Sequence, residues 1–219
     1  MPEPSPPRDA DASGDDAVFR ILTVCSGNLC RSPLAEQLLR ARLSSPEWRD
    51  LAAVEVASAG TVARDGEPMD ARAAGEADRL GLRDAGVHRT RRLRAEHVER
   101  ADLVVAMAQE HRAACARLVP SATRRTFTLP ELAAILTSLA RADAPPLEQA
   151  TGAGGAARLR AVVSAAGVER GMMPPWQGDE LDIADPFRRG RLAHRRTARA
   201  VDGHVAVVAE RLRELAQRR

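Results

Sequence analysis

The run Val24 to Pro33 reads VCSGNLCRSP and follows directly on the apolar stretch Phe19 to Val24. A thiol, a Gly-Asn pair, an arginine and a Ser-Pro step between a buried strand and a helix describe one kind of joint, a turn that binds an anion. Cys25 leaves the strand and Arg31 follows six positions later. That spacing is a weak signal by itself, because all 33 Lys+Arg positions of the chain are Arg. The residues in between carry more weight. Gly27 and Asn28 are the types that best tolerate left-handed backbone angles, which lets successive N–H groups converge on an anion. Asn28 is the single asparagine of the chain, so a composition that otherwise avoids the residue has one at this turn. Ser32 and Pro33 supply an N-cap type and a proline at the first helical position, aiming a helix N-terminus at the same point. Groups that hold phosphate in this way also favour a thiolate on Cys25. A thiolate can attack phosphorus, and the planar Arg31 fork can hold two phosphoryl oxygens. Such chemistry needs neither metal nor cofactor, and the sequence contains no His/Cys cluster of metal-ligand spacing.

Around the loop the pattern alternates strand and helix. Apolar runs at Phe19–Val24, Val54–Ala57 and Leu103–Met107 predict strands, with a weaker one at Arg125–Thr128. Helices are expected over Leu34–Leu43, Ala71–Leu80 (stopped near Gly81) and Gln109–Leu118. Thr128-Leu129-Pro130-Glu131 forms a capping-box pattern before a helix bearing Leu132, Ile135, Leu136 and Leu139. Val201, Val205, Val208, Leu212 and Leu215 mark a long amphipathic helix at the end. The prediction is an α/β three-layer sandwich, a four-stranded parallel sheet flanked by helices. Ligands bind such sheets beyond the carboxyl ends of the strands, where the loop lies. Residues 1–17 read as a disordered tail and 18–219 as one domain, with an insertion or lid at about 140–181 that contains a helix near 156–166.

Composition excludes other classes. The net charge of +3 is made of mixed signs and aromatics are 2% of residues, so nothing suggests a nucleic-acid face. The basic run His88 to Arg94 (HRTRRLR) reads as a solvated loop or helix edge. No stretch approaches a membrane span. Three cysteines, two of them in the loop, do not make a disulfide framework and fit a reducing, cytoplasmic setting. Nothing in the sequence specifies an oligomeric state.

The loop string resembles that of the low-molecular-weight protein tyrosine phosphatases. The likeness extends to Ser58-Ala59-Gly60-Thr61, to His88, to Leu103–Met107 (LVVAM) and to Asp185-Pro186-Phe187. The resemblance implies that Cys25 is the nucleophile, Arg31 the phosphoryl clamp and Asp185 the general acid and then base. It implies that Ser26, Gly27, Asn28, Leu29, Cys30, Ser32 and Phe187 bind substrate, with Ser32 bonded to the Cys25 sulfur. Asn28, Ser58 and His88 would brace the loop. Cys30 would be a resolving thiol for Cys25. The expected partner is a phosphotyrosine protein or a small phosphomonoester. Two features qualify the substrate. Val62-Ala63-Arg64-Asp65 and Phe187-Arg188 stand where aromatics often wall the pocket, yet Leu29 is apolar where phosphoarginine-directed relatives resemble one another in carrying threonine.

An arsenate reductase of the same fold and a silent phosphate-binding module are the alternatives. Asp179, Glu180 and Asp182 compete with Asp185 for the acid's role. Cys115 reads as packing, and His97, His111, His194 and His204 as surface or helix-edge residues.

Overall fold

Val18–Cys25 forms strand β1, and every residue from Ile21 onward is buried, as in a parallel strand covered on both faces. The computed structural model describes residues 17–141, 154–173, 176 and 179–218; most of the expected tail lies outside them. β1 pairs in parallel with β2 (Ala53–Gly60) on one side and with β3 (Leu103–Ala106) on the other. β4 (Thr126–Thr128) pairs in parallel with β3, giving the order β2-β1-β3-β4. Cys25 stands opposite Gly60, Val24 opposite Ala106, and Ala106 opposite Thr128. The four carboxyl ends therefore form one shelf. Successive connections leave β1 in opposite directions, so the end of β1 is the topological switch point where such sheets take ligands.

Helices cover both faces, as the alternating pattern predicts. On one face lie α1 (Arg31–Leu43), α3 (Ala71–Arg79), α6 (Leu129–Leu139), α7 (Gly155–Glu169) and α8 (Arg191–Gln217) around the larger core cluster; the short α2 (Pro46–Arg49) adds Trp48. On the other lie α4 (Ala95–Glu99) and α5 (Gln109–Leu118), with Val98 and Cys115 in the smaller cluster. The capping box forms as read: Thr128 Oγ1 accepts from Glu131 N, and Glu131 Oε2 from Thr128 N. Gly81 ends α3 with φ +78°.

Three boundaries differ from expectation for physical reasons. β2 runs on through Gly60 because Ser58, Ala59 and Gly60 stay in register with Thr23, Val24 and Cys25. α1 begins at Arg31, so Pro33 is its third residue and Ser32 is not its cap; the Ser32 hydroxyl has other partners, given below. α8 starts ten residues before Val201, its buried stripe carried back through Ala198, Thr197 and His194.

The segment read as an insertion or lid is in part core. Residues 142–153, 174, 175, 177 and 178 lie outside the described residues, but α7 buries Ala156, Leu159, Val162, Val163 and Ala166. Arg160 Nη2 donates to Val18 O at 2.8 Å and its Nε to Asp102 Oδ1 at 2.8 Å. Val18 opens β1 and Cys25 closes it, so α7 is fastened at the opposite end of the strand from the loop. A Cβ on Gly155 would lie 1.5 Å from Leu51 O, so the helix can seat this closely only with glycine at its start. Leu159 is fully buried, and Leu159→Ala is expected to cost about 2–5 kcal/mol of stability. Chemical denaturation measures that loss, and catalytic constants close to wild type in the folded variant distinguish a core helix from a lid.

Candidate active site

The loop between β1 and α1 is organised by Asn28. Its φ is +55°, the left-handed angle expected of the position; Gly27 does not share it. A Cβ on Gly27 would press on Leu29 Cδ1 at 3.3 Å, so the glycine gives Leu29 room. Asn28 is fully buried, and its amide uses both N–H donors and its oxygen. Nδ2 donates to Ser32 Oγ at 2.9 Å and to Ser58 Oγ at 2.8 Å, and Oδ1 accepts from Arg91 N at 2.9 Å. Its backbone carbonyl lies 2.9 Å from His88 Nε2. Aspartate has no donors for the two serines, which accounts for the lone asparagine. Ser58 in turn donates to Glu36 Oε2 at 2.5 Å, so a buried chain of polar groups runs from Glu36 to the loop.

The sulfur of Cys25 is the focus of this chain. Asn28 N–H points to Sγ at 3.3 Å, and Ser32 Oγ lies 3.0 Å from it. Ser32 Oγ accepts from Asn28, and its own proton has the sulfur at 3.0 Å and Ala59 O at 3.4 Å as acceptors. Cys30 is buried nearby. Burial first, then the charges of Asp70, Cys25 and Asp185, push its thiol far up, with Arg31 opposing. Cys30 is thereby held as a neutral thiol. Cys115, raised to about 12 by burial, packs in the smaller cluster as expected.

Arg31 is buried and shared among three partners. Nη1 donates to Ile183 O at 3.1 Å, while Nη2 reaches Ser26 Oγ at 3.2 Å and Asp185 Oδ2 at 2.9 Å. Ile183 N donates to Met107 O at 2.8 Å, which ties the Asp185 segment to the end of β3. Of the competing acids, Asp182 accepts from Gln109 N at 2.9 Å and so serves the start of α5. Asp185 faces the guanidinium, and its Oδ1 accepts from Phe187 N at 3.2 Å. A cleft of about 380 Å³ opens over Cys25 and Arg31, with Leu29, Val62 and Phe187 among its walls and Arg64, Glu67 and Arg188 at its rim. Arg188 has φ +60° and stacks on the Phe187 ring at 5.3 Å.

Three contributions were not legible beforehand. Gly60 abuts the loop backbone: a Cβ there would lie 2.6 Å from Ser26 O and 2.8 Å from Asn28 N. The basic run does expose Arg89, Arg91, Arg92 and Arg94, but its backbone braces the site through Arg91 N and through Leu93 N to Gly60 O at 2.8 Å. The third is His111, expected at the surface and found 1% exposed. Its Nε2 lies 2.8 Å from Ser26 Oγ and 3.2 Å from Glu110 Oε1, while Nδ1 has no partner among the described residues. The neutral ring is best satisfied with its proton on Nε2. Ser26 Oγ then accepts from both Arg31 and His111, and its own proton is free to face the cleft.

Burial, then the Arg31 charge, lower His111 to about 4, against smaller opposing effects of Asp185 and Asp182. The unfolded chain takes up this proton near 6.5, so the stability contributed is whole above that pH and is lost as pH falls towards about 4. Denaturant unfolding should therefore show wild type losing more stability across that window than His111→Gln. Parallel profiles would refute a neutral buried ring.

An anion-cradling turn at the switch point of a parallel sheet defines an α/β protein built to receive an oxyanion. The family profile described as low molecular weight phosphotyrosine protein phosphatase matches residues 20–140. A protein-arginine-phosphatase of Geobacillus stearothermophilus is 38% identical over 114 residues, covering 51% of this chain and 69% of the relative. The low molecular weight protein-tyrosine-phosphatase Etp of Escherichia coli is 41% identical over 107 residues, covering 49% and 66%. The solved YwlE arginine phosphatase from Geobacillus stearothermophilus superposes with a TM-score of 0.60 at 27% identity, over 89% of this chain and 92% of that one. The chain is a phosphatase. It belongs to the low molecular weight phosphotyrosine protein phosphatase family.

Proposed function

We propose that the chain hydrolyses phosphotyrosine in proteins, or a small aryl phosphate, through a cysteinyl-phosphate on Cys25. The observation that carries this reading is the Arg31–Asp185 contact of 2.9 Å beside a sulfur met by the Asn28 N–H and the Ser32 hydroxyl. A bound phosphoryl group takes the Arg31 fork and the converging loop N–H groups. The sulfur attacks phosphorus, and the S–P bond forms as the P–O ester bond breaks. Asp185, released from Arg31 by the phosphoryl oxygens, takes up a proton from solvent beside the phosphate dianion and gives it to the leaving phenolate oxygen. Water then attacks the phosphocysteine, Asp185 takes the water's proton, and the sulfur leaves as thiolate. Ser26, freed to donate, adds a bond to the phosphoryl oxygens.

Leu29, Val62 and Phe187 favour a flat apolar ring over a guanidinium, although the relatives named above include arginine phosphatases. The charges remain mixed in sign and no helix among the described residues is long and apolar enough to cross a membrane; a phosphoprotein is therefore favoured over nucleic acid or lipid as partner. Free thiols at Cys25, Cys30 and Cys115 suit the cytoplasm.

Rapid-quench assay of the purified chain with p-nitrophenyl phosphate tests the mechanism. A burst of nitrophenol and phosphate trapped on the Cys25 peptide are expected. Release without a trapped phosphocysteine would reject it, and a requirement for a thiol co-substrate would point to the arsenate-reductase alternative. A phosphotyrosine peptide should outcompete a phosphoarginine peptide; the reverse order rejects the substrate.

A further inference from the structure

Cys30 Sγ, an oxygen of Asp70 and a ring nitrogen of His194 all lie within 4.8 Å of one another. They arrive from three places: the loop before α1, the residue that opens α3, and the first turn of α8. His194 is 2% exposed and Cys30 5%. Among the described residues neither ring nitrogen of His194 has a hydrogen-bond partner; Nδ1 is 3.8 Å from Asp70 Oδ1. A ring packed only for its bulk would still need a partner for its N–H, since a neutral imidazole always carries one. Asp70 caps α3 with one oxygen, Oδ1 accepting from Arg72 N at 2.9 Å and Ala73 N at 3.1 Å. Among the described residues that leaves Oδ2 for a further ligand.

We propose that Cys30, Asp70 and His194 bind one divalent ion of the zinc class, with water as the fourth ligand. A thiolate and an imidazole select zinc-like ions over magnesium or calcium, which prefer all-oxygen sites. With Zn–S near 2.3 Å and Zn–N or Zn–O near 2.0–2.1 Å, tetrahedral donors stand roughly 3.3–3.6 Å apart. Closing from the observed separations takes side-chain movements of about 1 Å on this geometry. The ion displaces the thiol proton of Cys30 to solvent and forms the metal–sulfur bond, with no change of oxidation state. The Asp70 side chain is 21% exposed, which gives the ion its entry and the fourth ligand its place. An ion held here withdraws the Cys30 sulfur from exchange with Cys25, and so couples metal supply to the chemistry available at the loop.

The test uses the full chain stripped with a chelator and titrated with Co²⁺, whose thiolate charge-transfer band reports a sulfur ligand. One ion per chain with that band is expected in wild type and in Cys25→Ser. Cys30→Ala should lack the band, and His194→Phe and Asp70→Asn should lower affinity at least about 100-fold. Phenylalanine fills the ring's space and asparagine still caps α3, and circular dichroism checks that both fold. Zn²⁺ should raise the melting temperature of wild type but not of His194→Phe. Unchanged affinity in His194→Phe, loss of the band in Cys25→Ser, or no Co²⁺ uptake by wild type would each overturn the proposal.

Discussion

Cys25→Ser is expected to reduce turnover of p-nitrophenyl phosphate by on the order of 10⁶-fold, the scale seen when a covalent nucleophile is removed. A serine hydroxyl attacks only when a base takes its proton. The groups around this position, Asn28 N–H and Ser32 Oγ, are donors matched to an anion and offer no base. The binding half of the site survives, because the loop N–H groups and Arg31 do not depend on the sulfur. Inorganic phosphate should bind the variant at least as tightly as wild type, since the groups that hold it are unchanged. Calorimetry with phosphate and single-turnover assays separate the two effects. Turnover within tenfold of wild type would remove Cys25 from the mechanism.

The geometry of the loop was readable in advance because its parts stand in consecutive residues. Asn28 stood out as the chain's one asparagine, and the structure gives the reason: an amide that must donate twice and accept once at a left-handed angle. The sheet was readable for a different reason. Buried parallel strands are short apolar runs, and the alternation with helices leaves few topologies. What escaped depends on residues far apart in sequence. Ser32 looks like a cap locally, but its hydroxyl is claimed by Cys25 and Asn28. His111 and His194 look like polar residues on helix edges, and their burial follows from what the end of β3 and the start of α3 place against them. Periodicity located α7 but gave no sign of where it packs. Arg160 on Val18 O, at the far end of β1, sets that. Gly60 belongs to a recognisable Ser-Ala-Gly-Thr string, yet its need for glycine appears only when Ser26 and Asn28 fold against it. The family match ends at residue 140, so the Asp185 segment rests on its own contacts.

Asp185→Asn provides the second large effect, and its size depends on the substrate. Asparagine keeps the volume and an oxygen for Phe187 N–H, so the wall formed by Phe187 stays in place; on the proposed mechanism, what is lost is the transferable proton. For an alkyl or unsubstituted phenyl ester the leaving oxygen is strongly basic and needs that proton in the transition state. A loss of about 10²–10⁴-fold in kcat is expected there, the usual worth of general acid catalysis. p-Nitrophenolate leaves well as an anion, so phosphocysteine formation from that ester should fall far less. The second step loses its base whichever ester is used, so trapped phosphocysteine should accumulate in the variant with the nitrophenyl substrate. Removing the carboxylate also leaves Arg31 without its charged partner, which strengthens its hold on phosphate and lowers KM. A plot of the burst-phase rate against leaving-group basicity distinguishes these effects: it should be shallow for wild type and steep for Asp185→Asn. Two parallel lines would mean that Asp185 only positions Arg31, and the acid would then have to be sought among other groups at the cleft.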